Sequence, residues 1–162
     1  MRRLLSAAAI ALATAAPAMS QEIIFGAGYS DYSLAGAEDG AVFSVEYLHS
    51  PFHEHSRFSA RFGGVLELVS TGDAFVGVGL SGNLDLNNDW FVETSVMPGA
   101  YFENAPLNDL GSTFEIRSQI ALGKRLRNGT ALSLALSHKS NASTASLNPG
   151  VNVLSLRWHK PL

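Results

Sequence analysis

The sequence predicts an all-β protein, an eight-stranded, antiparallel, up-and-down β-barrel that spans an outer membrane. Apolar and polar residues alternate along most of the chain after residue 20, with the two-residue period of a β-strand. The alternating segments number eight and are roughly ten residues long, which is the length that a tilted strand needs to cross the hydrocarbon. Because no run of about eighteen apolar residues follows residue 20, membrane-spanning helices are excluded.

Each predicted strand has one apolar row and one more polar row. In chain order the apolar rows run through residues 23–29, 41–47, 58–68, 74–86, 90–100, 114–122, 132–136 and 154–162. The first, fourth and seventh rows are opposed mainly by small or uncharged polar residues, and the other rows by residues that include charges. The charges opposed to the second, third, fifth and sixth rows are Glu46, Arg61, Glu67, Glu93, Glu115 and Arg117.

These charged residues are expected to point into a narrow lumen. Eight strands enclose an interior just wide enough for side chains, so the charges would pair there and no pore is implied. Closure into a barrel also leaves no strand edge free to pair with another chain. A soluble β-sandwich is the alternative, because alternation alone does not say whether the apolar rows meet lipid or a protein core.

The first residues have the features of a secretory signal peptide. Arg2 and Arg3 precede a short apolar segment, and small residues stand just before Gln21. The apolar segment is too short to cross a bilayer. We therefore expect residues 1–20 to be a cleaved signal peptide and residues 21–162 to form the barrel, with a retained amphipathic anchor as the alternative.

The composition narrows the classes of function. The chain has 162 residues, no cysteine and a formal net charge of −3, which becomes −5 when the two N-terminal arginines are removed. Without cysteine, neither a disulfide nor a thiolate metal site can form. A negative balance argues against a nucleic-acid partner, because phosphate binding needs concentrated lysine and arginine. The length fits one domain.

The connections between strands predict the orientation of the barrel. Tight turns at residues 87–89 and 127–129, and a longer turn at residues 50–56, are expected on the periplasmic side, where turns are short. The outer loops are then residues 33–40, 70–72, 102–111 and 143–151. Both chain ends fall in the periplasm, and the last strand ends in Leu162 instead of an aromatic residue.

Two patterns resemble cofactor or metal motifs but fit a structural role better. The glycines of residues 77–82 match a dinucleotide fingerprint, which requires a strand before it and a helix after it, whereas here they lie inside one strand. The segment His53-Glu54-His55 offers only two imidazoles in a predicted turn, so a solvated turn is favoured over a metal site. We therefore predict neither a cofactor nor a metal ion.

The second-to-last strand ends in the candidate catalytic residues. His138 and Ser140 are two residues apart, so on a strand they share a face, and it is the face of the apolar row 132–136. Polar groups that extend a lipid-facing row are costly unless they are paired. At outer-leaflet height a base beside a hydroxyl suits hydrolysis of an ester in a lipid. The alternative, equally compatible with the spacing, is that the strand has already left the hydrocarbon.

At these residues the sequence resembles the lipid A 3-O-deacylase family, whose members are also called acyloxyacyl hydrolases. Such proteins are eight-stranded outer-membrane barrels with a His-x-Ser-Asn-Ala segment and, after it, an Asn-Pro-Gly-like turn that leads to an acid. The matching residues are His138, Ser140, Asn141 and Ala142 in the first motif, and Asn148, Pro149 and Gly150 in the second. The resemblance also extends over the length and strand rhythm of residues 21–162.

The resemblance implies a serine esterase that hydrolyses the 3-O-linked 3-hydroxyacyl chain of lipid A in the outer leaflet. It implies Ser140 as the nucleophile, His138 as the general base and Asn141 as an oxyanion donor or an orienting residue. A turn-forming asparagine is the alternative for Asn141. The family's acid is a glutamate fourteen residues after the histidine, and this chain has Asn152 there. An asparagine can accept the imidazole N–H but cannot stabilise an imidazolium as a carboxylate does.

This departure leaves three outcomes: a slower deacylase, a deacylase that uses another carboxylate such as Glu103 or Asp109 of an outer loop, or a barrel without catalysis. We favour an active deacylase whose partner is lipid A, the lipid of lipopolysaccharide, in the outer membrane. The alternative is a non-catalytic outer-membrane barrel with a structural, adhesive or shielding role. The sequence does not determine the oligomeric state, for which a homodimer is one candidate.

Overall fold

The computed structural model describes residues 21–162, which form strands joined by turns and loops. The strands are β1 (Glu22–Tyr32), β2 (Ala41–Leu48), β3 (His53–His55), β4 (Phe58–Val69), β5 (Ala74–Asp85), β6 (Trp90–Phe102), β7 (Phe114–Arg125), β8 (Ala131–Ser140) and β9 (Val151–Pro161). In this part of the chain no helix has the length and apolar character needed to cross a membrane. The predicted signal peptide, residues 1–20, lies outside the described residues.

Hydrogen bonds between neighbouring strands close the sheet into a barrel. The strands follow the order β2-β1-β9-β8-β7-β6-β5-β4, and β2 pairs with β4 to complete the ring. Every one of these pairings is antiparallel. The predicted eight-stranded up-and-down barrel is therefore confirmed, and the β-sandwich is excluded.

The connection between β2 and β4 differs from the prediction. The segment His53–His55 forms the short strand β3 against the start of β4, where the sequence predicted a solvated turn. Just before it, the N–H of Phe52 donates to the carbonyl of Ala60 over 3.0 Å, and the Phe52 ring lies 4.6 Å from that of Phe62. The prediction of a turn was wrong because main-chain pairing and an aromatic contact extend the hairpin. All three residues of β3 are nevertheless exposed to solvent.

The outer face of the barrel is apolar. Large side chains of the outward rows stay exposed, for example Phe43 (61%), Val78 (69%) and Leu156 (58%). A soluble monomer rarely exposes contiguous apolar patches larger than a few hundred Å². The apolar rows therefore face lipid, as the sequence predicted.

Ion pairs fill the middle of the barrel. Arg117 bonds Glu67 and, over 3.1 Å, Glu46. Arg157 donates to Glu46 over 2.9 Å and to Glu93 over 2.8 Å. All five side chains are at most 3% exposed. The predicted pairing of lumen charges is confirmed for Glu46, Glu67, Glu93 and Arg117 but not for Glu115, which forms no ion pair within residues 21–162. The interior is packed with side chains.

The short turns lie together at one end of the barrel. Between β5 and β6, Asn88 and Asp89 both take a positive φ, 58° and 65°, as a tight hairpin requires. Between β7 and β8, Gly129 has φ 84° and its N–H donates to the carbonyl of Leu126 over 3.1 Å. The opposite end carries the longer loops, residues 33–40, 70–73, 103–113 and 141–150, each within two residues of its predicted bounds.

Candidate active site

Strands β8 and β9 bring His138 and Asn152 together. The two residues are directly opposite in the register of these antiparallel strands, so their side chains share the outer face. Nδ1 of His138 lies 2.9 Å from Oδ1 of Asn152, which is hydrogen-bonding distance. The β8–β9 hairpin therefore turns a separation of fourteen residues in sequence into a direct contact.

This hydrogen bond selects one form of the neutral imidazole. The amide oxygen of Asn152 only accepts hydrogen bonds, so Nδ1 of His138 must carry the hydrogen. Nε2 is then the unprotonated nitrogen and can accept a proton, which is the form that a general base requires. Asn152 thus orients the ring as a triad acid does, but brings no charge.

Ser140 lies two residues beyond His138, on the same face, and is the last residue of β8. Its side chain is half-buried, and its backbone lies opposite Ile116 of β7. Within residues 21–162 no group hydrogen-bonds the Ser140 hydroxyl, which leaves it available to a substrate and to the imidazole. Contacts between a nucleophile and its base often tighten only in the substrate complex.

A strained turn follows Ser140 directly. Ala142 and Ser143 take positive φ values of 53° and 63°, which cost a residue other than glycine roughly 1–3 kcal/mol each. Thr144 closes the turn, because its N–H and its hydroxyl donate to the carbonyl of Asn141 over 3.1 and 2.8 Å. The chain therefore reverses immediately beyond the candidate nucleophile.

Asn141 ties this turn to two other segments. Its side-chain amide nitrogen donates to the carbonyls of Leu110 and Leu147 over 2.9 and 2.8 Å, and the residue is fully buried. Its backbone N–H donates to Oδ1 of Asn148 over 3.1 Å. Both side-chain N–H groups are thus engaged within the protein. The two predicted roles of Asn141 stay predictions, and this arrangement favours orientation over donation to an oxyanion.

The Asn-Pro-Gly motif forms the other side of the same loop. Asn148 accepts the bond from Asn141 just described, and Pro149 follows it. Gly150 has φ +72° and leads into β9. The N–H of Ser33, from the β1–β2 loop, donates to the carbonyl of Gly150 over 3.2 Å. The motif therefore connects the site to a neighbouring outer loop.

Asp73, which the sequence analysis did not single out, joins the outer loops. It lies in the β4–β5 loop and is fully buried. Its oxygens accept hydrogen bonds from Thr71 Oγ1 (2.6 Å), Asn104 N (2.6 Å), Ala105 N (3.2 Å), Asn108 Nδ2 (2.5 Å) and Tyr32 OH (3.3 Å). Burial alone would raise the pKa of this carboxyl, but these donors, led by the N–H of Asn104, lower it below the ordinary value. No sequence motif marks an acid that gathers donors from three separate segments.

Asn108 continues this connection to the β1–β2 loop. Its Oδ1 accepts the N–H of Glu38 over 2.8 Å, and its Nδ2 donates to the carbonyl of Glu38 over 3.0 Å. With the bonds of Asp73, Asn141 and Gly150, all four outer loops are linked to one another. We call this set of linked loops, residues 33–40, 70–73, 103–113 and 141–150, the outer cap.

Glu103 and Asp109, the alternative acids, lie beside each other in the outer cap. Burial and the charge of Asp109 raise the pKa of Glu103 above its ordinary value. Both line a mostly polar pocket of about 380 Å³ next to Ser112. Within the described residues neither acid is hydrogen-bonded to His138, whose Nδ1 is bonded to Asn152.

A second serine–histidine pair lies inside the barrel near the periplasmic end. Ser133 Oγ is 2.7 Å from Nε2 of His159, whose Nδ1 is 3.4 Å from a carboxylate oxygen of Glu22. Ser133 and His159 are 2% and 1% exposed, so a lipid cannot reach them. The residues come from three strands, which is why the sequence did not reveal the cluster. It serves as an internal comparison for the outward-facing pair.

The apolar exterior, the charged interior and the outward histidine–serine pair at the rim define an eight-stranded outer-membrane barrel with a candidate hydrolase site. The family model described as Lipid A 3-O-deacylase (PagL) matches residues 25–161, and the chain belongs to this family. The family resemblance seen in the sequence is therefore confirmed.

Solved structures show the same fold. The crystal structure of the outer membrane enzyme PagL is similar with a TM-score of 0.71 and 16% identity, covering 87% of this chain and 99% of that chain. The crystal structure of Neisserial surface protein A (NspA) has a TM-score of 0.61 and 10% identity, covering 88% of this chain and 97% of that chain. A de novo designed transmembrane β-barrel has a TM-score of 0.57 and 9% identity, covering 88% of this chain and 96% of that chain. At such identities the likeness establishes the fold alone. No functionally curated protein matches the sequence.

Proposed function

We propose that this protein is a lipid A 3-O-deacylase, a serine esterase that removes the 3-O-linked 3-hydroxyacyl chain from lipid A in the outer leaflet. Membership of the family supports the reaction class. The observation that carries the assignment to this chain is the hydrogen bond between His138 and Asn152, which prepares Nε2 as a base two residues from Ser140. A non-catalytic barrel is the second candidate, and the missing charge at Asn152 is the observation in its favour.

The reaction would proceed in two steps through an acyl-enzyme. Ser140 Oγ attacks the ester carbonyl carbon while Nε2 of His138 takes the hydroxyl proton. The tetrahedral intermediate then collapses, the carbonyl carbon–oxygen bond to the sugar breaks, and His138 returns the proton to the departing 3-oxygen. Water, deprotonated by His138, attacks the acyl-Ser140 ester and releases a 3-hydroxy fatty acid and free Ser140.

A recess on the outer face supports a lipid substrate. It has a volume of about 370 Å³ and is purely apolar, with Val92, Ile120, Leu122, Leu134, Leu136 and Leu154 among its lining residues. Leu136 and Leu154 are opposite each other, two residues below the His138–Asn152 pair. An acyl chain lying in this recess would bring its ester to the height of Ser140.

Asn152 is expected to make the enzyme slow without abolishing catalysis. The residue holds the imidazole in the form that accepts a proton, which preserves the geometry of a triad. It cannot stabilise the positive imidazolium that forms when Ser140 is deprotonated. In a serine protease an uncharged residue at the acid position lowers kcat about 10⁴-fold, although there the change also selects the wrong form of the imidazole.

The test is expression of the full chain in a Gram-negative host, followed by mass spectrometry of its lipid A. We expect the wild type to remove one 3-hydroxyacyl group and Ser140→Ala to remove none. Ser133→Ala is the matched control, because it removes a histidine-bonded serine that lies inside the barrel, and it should retain activity. Unchanged lipid A with wild-type protein folded in the outer membrane would favour the non-catalytic barrel. If residues 1–20 are cleaved as predicted, the mass of the purified barrel should equal that of a chain that begins at Gln21.

A further inference from the structure

Glu115 is a buried acid whose carboxyl group has no hydrogen-bond partner. It points inward from β7 and is 0% exposed, and within residues 21–162 neither of its oxygens is hydrogen-bonded. The other lumen acids are paired: Glu22 with Arg61, Glu46 with Arg117 and Arg157, Glu67 with Arg117 and Lys139, and Glu93 with Arg157. The basic side chains of the lumen are therefore engaged elsewhere, and Glu115 stands apart from the network.

A second unpaired acceptor lies just beyond the same strand pair. The pairing of β7 with β8 ends at Ile116 and Ser140, and Glu115 and Asn141 are the next residues of the two segments toward the outer cap. Both are 0% exposed. The side-chain amide nitrogen of Asn141 donates hydrogen bonds to two backbone carbonyls, which fixes the orientation of the amide group. Its oxygen, Oδ1, is then buried without a donor.

A single proton on Glu115 would give these two neighbouring buried acceptors a donor. An ionised carboxylate is costly in such a place, because it loses its hydration without gaining a hydrogen bond. A neutral carboxyl group, in contrast, has one O–H that can be donated. The charged groups around Glu115 are Lys139 and Arg117 on the barrel wall, both bonded to another acid, and Asp109 above it. The charge of Lys139 favours ionised Glu115, whereas burial and the negative charge of Asp109 favour the neutral carboxyl group.

We propose that Glu115 is a positioning residue of the esterase site, and that it keeps its proton and donates it in a hydrogen bond to Oδ1 of Asn141. This inference rests on the proposed function, because Asn141 directly follows Ser140 and begins the strained turn. The bond would hold that turn from inside the barrel and so fix the position of the Ser140 hydroxyl outside it. Ionisation of Glu115 removes this donor. Activity should therefore decline at alkaline pH because the bond to Asn141 inside the barrel is lost.

The proton can be tested without any activity measurement. Infrared difference spectra of the full barrel in detergent micelles at neutral pH would compare the wild type with Glu115→Gln. We expect the substitution to remove a carbonyl stretch of a protonated carboxyl group. If the substitution instead removed the symmetric and antisymmetric stretches of an ionised carboxylate, the proposal would be overturned. A Glu115 that binds a metal cation would give that second result.

The positioning role is tested by kinetics of two variants. Glu115→Gln keeps a donor, so we expect it to retain the neutral-pH kcat and to lose the alkaline decline. Glu115→Leu leaves Asn141 without a donor, so kcat should fall about 10-fold with KM unchanged. Heat-modifiable gel mobility would verify that both variants fold. Equal impairment of the two variants, or full activity of Glu115→Leu, would overturn the role. An inactive wild type would refute the proposed function instead, while the infrared result would still decide the state of Glu115.

Discussion

The imidazole of His138 packs directly against the backbone of Gly150. A Cβ atom on residue 150 would lie 2.7 Å from Cε1 of His138, closer than real Cβ contacts allow, and 3.2 Å from Nε2, which is tighter than most such contacts. Asn152 holds the Nδ1 side of the same ring. The ring is therefore confined between a hydrogen bond and a glycine, which gives the Asn-Pro-Gly turn a role in the geometry of the site.

Substitution Gly150→Ala should lower deacylase activity by more than its effect on stability explains. The new methyl group would displace the ring of His138 from Ser140, and a small misplacement of a catalytic group costs about 100-fold. Gly129→Ala is the control, since Gly129 also has a positive φ, +84°, but has no atom within 4 Å of a Cβ. Both variants would be compared by lipid A mass spectrometry and by urea unfolding. Equal activity losses in the two variants would contradict the contact.

Substitution Asn152→Glu should accelerate the reaction. A carboxylate in place of the amide would accept the same Nδ1–H and would also stabilise the imidazolium, with an expected gain in kcat of about 10²–10⁴-fold. Asn152→Ala removes the acceptor and should be slower than the wild type. Single-turnover rates on purified lipid A in micelles would rank the three proteins. A glutamate variant no faster than the wild type would mean that another group already supplies the charge.

The fold could be predicted in detail because a strand has a period of two. Parity alone assigned Glu67 and Arg117 to the lumen, and the structure buries both there, bonded to each other. The same rule placed His138 and Ser140 on the outer face. The failure at β3 arose where alternation is short and a contact between Phe52 and Phe62 decides the conformation.

The site could be predicted only as far as its residues are close in sequence or share a motif. The spacing of His138 and Ser140 placed them on one face, and the family resemblance pointed to Asn152 on the next strand of the same hairpin. Asp73 and Glu115 could not be found in this way. Their surroundings come from loops and strands distant in sequence, and only the closed barrel brings these together.

Asp73→Asn should loosen the outer cap while leaving the barrel folded. An amide would keep one acceptor oxygen but would place an NH₂ group among donors from Thr71, Asn104 and Asn108. We expect faster protease cleavage in residues 103–113 of the variant in vesicles, and lower activity because Leu110 supports Asn141. Unchanged cleavage of the variant would show that Asp73 does not hold the cap.

The same carboxyl predicts how the cap responds to acid. The folded pKa of Asp73 lies below the ordinary value near 3.8, so its bonds stabilise the cap above that pH. This stabilisation is lost only as the pH falls through the lowered value. The contribution of Asp73, read as the difference in protease sensitivity between the wild type and Asp73→Asn, should therefore stay constant from neutral pH to about pH 4 and shrink only below it. Asp73→Asn should show no such acid step.

Substitution Glu67→Gln should destabilise the barrel far more than loss of an exposed ion pair. It leaves Arg117 and Lys139 buried, each 2% exposed, with less negative charge to compensate them, and breaking a buried pair costs about 3–5 kcal/mol. The control is Asp85→Asn, which removes an exposed ion pair. Asp85 and Arg125 are 2.8 Å apart, and their side chains are 41% and 38% exposed. We expect this substitution to cost less than about 1 kcal/mol of stability. Urea unfolding in vesicles, followed by tryptophan fluorescence, would measure both. Similar losses in the two variants would mean that water enters the lumen and screens its charges. The ion network would then fill the interior without holding the strands together.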